Sequence, residues 1–333
     1  MYYDSQTLKR FITLPIFKAS NLHIFITLSK FKWMNESLLK QLEDKYKALG
    51  EKPEIYLKGL LHSKPLNYWD YIEVDTLLSL QKPRTSFKDE TVFIIYHQIT
   101  ELTLKLMIHE IQQLVDLNDF SSELIFIDKI KRLERYTDML ITSFDVMTEG
   151  LNHDEYNQFR LSLTPASGFQ SAQFRYLEIM CTPLLNLVNE EDKKNLKASP
   201  SIDEIFNNIY WRNAGYNRKT GKTTYTLKIF EDKYLSEFTN LAQQMKGRTL
   251  WEQYLKFKKP SEKLKLRMKD FDHQFNVQWP MLHLKTASKY LQKKGETKKA
   301  TGNSEWKKYL HPKFQQRQFF PGLWKNDDIL SWV

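Results

Sequence analysis

Phe93, His97, Glu101 and Lys105 fall at i, i+4, i+8 and i+12 in the run Phe93-Ile-Ile-Tyr-His-Gln-Ile-Thr-Glu-Leu-Thr-Leu-Lys105, so they share one helix face. Val92, Ile95, Ile99, Leu102, Leu106 and Ile108 cover much of the remaining surface. A helix apolar on nearly all sides belongs inside a protein. An imidazole on it is either a hydrogen-bonded core group or part of a lined pocket, where it can accept or pass on a proton. A second pair, Tyr156 and Arg160, stands four residues apart beside a Thr164-Pro-Ala-Ser-Gly168 turn. A guanidinium fork next to a phenol suits bidentate capture of a carboxylate, or a structural ion pair. The free N–H groups and hydroxyls of Pro-Ala-Ser-Gly-Phe-Gln-Ser171 could face an anion. The third feature is His283, set among Leu282, Leu284 and Ala287 after Trp279-Pro280. An imidazole in such surroundings is a core residue or a ligand for haem iron.

These groups need elements to hold them. The apolar run predicts a helix over 88–117, with Ser86 and Asp89 as a capping box. Helical period predicts further helices over 34–50 (closed by Gly50), 123–150, 152–163, 169–181 and 225–257, with Tyr68-Trp-Asp-Tyr-Ile72 opening a shorter one. Residues 185–222 read as irregular. Ser261–Leu291 reads as one long charged helix that Pro280 kinks or restarts. Residues 295–304 form a Lys/Thr/Gly-rich loop, and the aromatic end 305–333 is expected to pack down.

Composition bounds the class. The chain has 333 residues, 41% hydrophobic and 14% aromatic, which is enough for a sizeable core. Only 10 glycines occur and no G-x-G-x-x-G or Walker-type run, which disfavours nucleotide loops and favours helices. The one cysteine, Cys181, excludes an intrachain disulfide and suits a reducing, cytoplasmic setting. A net charge of +10, with lysines crowded into 257–268 and 285–299, could draw an anionic partner. These lysines are not interleaved with aromatics as nucleic-acid stacking platforms require, so a solvated surface is expected. No stretch reaches the roughly 20 apolar residues of a membrane span. We read 1–33 as a weakly ordered extension, or as sequence ahead of a start at Met34, and 34–333 as a single all-α domain.

Together the segments Tyr68-Trp-Asp-Tyr-Ile, Phe93-Ile-Ile-Tyr-His-Gln-x-x-Glu-Leu-x-x-Lys105, Tyr156-Asn-Gln-Phe-Arg-Leu-x-Leu-x-Pro-Ala-Ser-Gly-Phe-Gln-Ser171 with Gln173-Phe-Arg-Tyr, and His283 followed by Ala300-Thr-Gly302 make a chain that resembles the tryptophan 2,3-dioxygenase family from about residue 65 to 312. The resemblance implies an all-α, bundle-like haem dioxygenase fold, a cytoplasmic homotetramer, and opening of the indole ring of L-tryptophan by O2 to give N-formylkynurenine. By the same resemblance His283 would be the proximal ligand of haem b iron. His97 would meet the indole N–H, and Phe93 would stack near the indole. Arg160 would clamp the substrate carboxylate with Tyr156 beside it, Ser167 would lie at the haem edge, and Thr301 would meet the amino acid end. Tyr68, Tyr71 and Ile72 would cover the pocket of a neighbouring subunit. No nucleic acid or membrane partner is implied.

Two departures bear on substrate choice. Thr103 follows Glu-Leu where the family often has an aromatic. Thr301-Gly-Asn-Ser-Glu-Trp306 replaces a glycine-rich Thr-Gly-Gly-Ser-Ser-Gly loop, about four residues further from the haem histidine. They motivate an alternative, a sister haem enzyme that oxidises another indole, with one oxygen inserted instead of two. A non-enzymatic basic helical binding protein is the remaining alternative.

Overall fold

The structure is a computed structural model that describes residues 36–213, 215–217, 220–293, 296–297, 307, 310–312, 317–330 and 332. The expected extension 1–33 and, of the expected loop 295–304, every residue but Glu296 and Thr297, Thr301 included, lie outside the described residues. Contacts divide the chain into a unit ending at Leu78 and a unit from Ser79 onward.

The first unit is helical. α1 (Glu36–Ala48) carries Glu36 in its first turn and Lys45 and Lys47 in its last, the order the helix dipole favours. Gly50, at φ +73°, supplies the left-handed residue that lets Glu51 N–H reach Tyr46 O and close the helix. α2 (Pro53–Leu60) starts with proline in its first turn, where the missing N–H costs nothing. Tyr46 stacks on Tyr56 at 4.2 Å between the two helices. Short turns follow at Tyr68–Tyr71 and Val74–Leu78. None of these four helices buries a residue.

The second unit is built around α3 (Asp89–Val115), which packs against α4 (Leu124–Ser143) and α6 (Ala172–Cys181). Leu104, Met107, Ile111 and Leu114 of α3 are at most 1% exposed. Burial of such side chains contributes about 1.5–3 kcal/mol each. Between α4 and α6 lies α5 (His153–Phe159), capped by the Asn152 side chain, which accepts from the N–H groups of Asp154 and Glu155. A 3-10 turn, Arg160–Leu163, continues it. α7 (Tyr225–Met245) packs on α6; α8 (Glu262–His273) packs on α4. The expected irregular stretch holds short helices and the two-residue hairpin Tyr216–Asn217 with Lys222–Thr223. The described residues are predominantly helical, as an all-α class requires. No helix among them is long and apolar enough to cross a membrane. At the end of the chain Phe319 and Phe320 are fully buried, so the aromatic tail does pack down.

Three local expectations need correction. α3 is not started by a Ser86–Asp89 capping box. Its N-cap is Lys88, without a side-chain bond, and buried Glu90 instead accepts the N–H groups of Arg84 (2.8 Å) and Thr85 (2.7 Å). Nor is α3 buried all round. Ile95, Ile99, Leu102 and Leu106 are 41–49% exposed along one stripe, opposite the face that carries Leu104, Met107 and Ile111. Finally, 261–291 is not one α-helix. A π-turn, Gln274–Gln278, separates α8 from α9 (Trp279–Leu291), with Trp279 N–H bonded to Gln274 O. Pro280 falls within the first turn of α9, where a proline is tolerated.

Candidate active site

Four regions of the second unit enclose one cavity: α3, α5 with the turns that follow it, the start of α6, and α9. Its volume is about 270 Å³, counted at the positions a water molecule's centre can take. A single water needs about 10–15 Å³ by that measure, so the space suits a large ligand. Phe93, His97, Tyr156, Arg160, Ser167 and His283 all line it, brought together from positions 190 residues apart. Tyr68, Tyr71 and Ile72 belong to the first unit, where they are 72%, 73% and 40% exposed.

α3 contributes Phe93 and His97, whose rings lie 4.1 Å apart. His97 Nδ1 is 2.7 Å from Phe93 O. A carbonyl only accepts, so Nδ1 carries the proton and the neutral ring keeps its Nε2 lone pair. Burial pushes the His97 pKa below the ordinary imidazole value; the Phe93 carbonyl and Glu101 pull only partly the other way.

On α9, His283 keeps an exposed surface and lines the cavity. Enclosure, with a smaller push from His97, lowers its pKa to about 4. The ring is therefore neutral at ordinary pH, the form that binds a metal. Phe144 packs 5.4 Å from it. Next to it, Thr286 shares a 2.6 Å hydrogen bond with Thr148 and anchors α9 to the turn after α4.

The third wall follows from α5. Phe159, fully buried, fixes the helix end, and Arg160 emerges 6% exposed at the start of the 3-10 turn. Burial raises the Tyr156 pKa although the Arg160 guanidinium, hydrogen-bonded to it, draws it down. Tyr156 also packs 4.7 Å from Tyr290 of α9. Ser167 caps the turn Gly168–Gln170 in a reciprocal box with Gln170, whose amide reaches Thr226 O on α7 at 3.2 Å. The polar turn is thereby tied to the core.

Sequence reasoning missed part of the wall. Arg175 and Arg317, 2% and 8% exposed, line the cavity too. Arg175 Nη1 donates to Glu178 (2.8 Å) and to the Tyr210 hydroxyl (2.7 Å); Arg317 Nη1 donates to the same two groups at 3.3 and 2.7 Å. Arg175 was visible inside Gln173-Phe-Arg-Tyr, whereas nothing in the sequence around Arg317 marks it.

Haem fits these residues on two counts. A neutral imidazole faces the space, and the walls are largely aromatic and aliphatic: Phe93, Tyr96, Leu104, Phe144, Met147 and Trp279. Apolar, enclosing walls with few polar groups are what cofactor sites share.

The sequence profile of the tryptophan 2,3-dioxygenase family matches residues 59–208. The tryptophan 2,3-dioxygenase of Bacillus thuringiensis subsp. konkukian (strain 97-27) is 28% identical over 288 residues, 83% of this chain and 98% of the relative. That of Bacillus anthracis is 29% identical over the same share of each. That of Anaeromyxobacter sp. (strain K) is 38% identical over 119 residues, 36% of this chain and 44% of the relative. Profile and relatives together support assignment to the tryptophan 2,3-dioxygenase family. The chain is therefore an enzyme of the oxidoreductase class. The tryptophan 2,3-dioxygenase profile spans three of the four regions that line the cavity, α3, α5 with its turns and the start of α6, and ends before His283.

Proposed function

We propose that the protein is a haem-dependent dioxygenase that opens the indole ring of L-tryptophan with O2 and releases N-formylkynurenine. One observation carries the reading: His97, His283 and Arg160 open onto the same cavity.

Haem b, when bound, would supply the dioxygen chemistry. The chain's own residues do the rest. His283 offers the neutral proximal imidazole. Arg160 pairs with the substrate carboxylate in a dry setting, where a charged hydrogen bond counts for more than in water, and Tyr156 steadies the guanidinium. Phe93 stacks against the indole. The Nε2 lone pair of His97 accepts the indole N–H, which orients the ring. By the family resemblance Ser167 would lie near bound haem, and Thr301 would meet the amino acid end of the substrate. The apolar walls exclude water. Tyr68, Tyr71 and Ile72 of a neighbouring subunit complete the pocket of a cytoplasmic homotetramer.

The test is a visible spectrum of the reduced protein with and without L-tryptophan, followed by mass spectrometry of the product made under isotopically labelled O2. We expect a Soret band that shifts on adding L-tryptophan, and a product carrying both labelled atoms. Protein that takes up no haem sinks the reading. A product with a single labelled atom replaces it with monooxygenation.

A further inference from the structure

The phase of the inward-facing residues slips by one position between α8 and α9. Along α8 the buried line is Leu264, Met268 and Phe271, and Phe275 extends it, all fully buried. Continued at 3.6 residues per turn, that line reaches Leu282, Thr286 and Lys289. Lys289 is instead exposed, and neither it nor Leu282 lines the cavity. The cavity receives His283, Ala287 and Tyr290, each one position later, with Thr286 beside them. One residue is about 100° of helix rotation. The π-turn Gln274–Gln278, with its i to i−5 bond from Trp279 N–H to Gln274 O, supplies that extra residue.

The turn is held from outside the helix. Asp272, 1% exposed, sits just before it. Its Oδ1 accepts Asn276 Nδ2, inside the π-turn, at 2.7 Å and the Phe319 N–H at 2.9 Å. Its Oδ2 accepts the Phe320 N–H at 3.1 Å and Trp324 Nε1 at 2.8 Å. One buried carboxylate thus joins the π-turn to the segment 319–324. The same stretch of chain brings Arg317 to the cavity wall.

We propose that the π-turn is a positioning device that aims the imidazole of His283 into the cavity, and that Asp272 is the positioning residue that holds it there by tying Asn276 to the segment 319–324. Without the extra residue the imidazole would turn away and a lysine would face the cavity. The inference rests on the reading of His283 as the proximal ligand.

The test uses the full chain and titrates haemin into Asp272→Asn, Asn276→Ala and His283→Gly, read by the Soret band, with and without added imidazole. Groups that orient a metal-ligating histidine are worth roughly ten- to a hundredfold in affinity. We expect a loss of that size in Asp272→Asn, a smaller one in Asn276→Ala, and restoration of the wild-type spectrum by free imidazole in both, as in His283→Gly. A cavity that is merely damaged would not be repaired by imidazole. Wild-type haemin binding in Asp272→Asn and Asn276→Ala overturns the proposal, and so does a loss that imidazole leaves in place. Should Asp272→Asn fail to fold, Asn276→Ala decides by the same readings. Wild-type binding by His283→Gly removes the proximal-ligand reading itself, an outcome distinct from failure of the positioning device.

Discussion

Arg160 shows how far single residues can be read. Its spacing from Tyr156 and the turn after it suggested a carboxylate clamp, and the fold places the guanidinium 6% exposed on the cavity wall. Arg160→Ala should weaken binding of L-tryptophan by about 2–3 kcal/mol and leave an indole lacking the carboxylate nearly unaffected, as measured by calorimetry. Equal losses for both ligands would count against the clamp. His97 carries a pH prediction. Burial holds its folded pKa below the ordinary 6.5, so the folded protein keeps the neutral acceptor form at pH 7. As pH falls below 6.5 the unfolded chain takes up the proton first, and stability declines. Protonation of the folded ring, and loss of substrate affinity with it, comes further down. An acid limb in kcat/KM that turns above pH 6.5 would contradict this. Arg317 marks the limit of such reading. Its partners Glu178 and Tyr210 lie more than a hundred residues away, and no local pattern records a contact made only by folding.

Helices were legible where apolar residues recur with helical period, and their ends and faces less so. The start of α3 misled because Ser86 and Asp89 have capping-box spacing, while Glu90 does the equivalent work by reaching back to Arg84 and Thr85. Glu90→Ala should therefore cost about 1–3 kcal/mol in denaturant unfolding, since it leaves two backbone N–H groups short of their acceptor. Those bonds hold the Glu90 carboxyl below its usual pKa of 4.5 despite its burial. A depressed carboxylate stabilises the fold above its unfolded pKa, and that contribution fades as pH falls through the lower folded value. The Glu90→Ala penalty should accordingly be full at pH 6 and shrink well below pH 4.5. The exposed stripe of α3 was hidden for a different reason: apolar residues on every side do not say which side meets the core. The π-turn, by contrast, was written in the sequence. Lys289 falls on the face that α8 would continue inward, and that conflict signals a phase slip. Pro280 drew attention to the right place for the wrong reason.

In the molecule as a whole, the two units differ in kind. The second builds a core from widely separated segments. The helices of the first bury no residue of their own and expose Leu60, Tyr68, Trp69 and Tyr71 by 57–73%. Such a surface calls for a partner. If Tyr68, Tyr71 and Ile72 complete a neighbour's pocket, an Arg160→Ala chain and a Tyr71→Ala chain, each weak alone, should regain part of the wild-type turnover when refolded together. Turnover of the mixture no greater than the sum of the two separate proteins would put those residues in their own subunit's pocket or in none. The class of fold was legible from glycine scarcity and helical period. The assembly of the cavity was not, because it depends on which distant segments meet.

The clip on Asp272 has a bearing on biosynthesis. Its donors, Phe319, Phe320 and Trp324, are among the later residues to leave the ribosome, well after α3 and α5. A nascent chain can form the early helices while these donors are still inside the exit tunnel. On the haem-dependent reading proposed above, loading of the prosthetic group would follow synthesis of the clip.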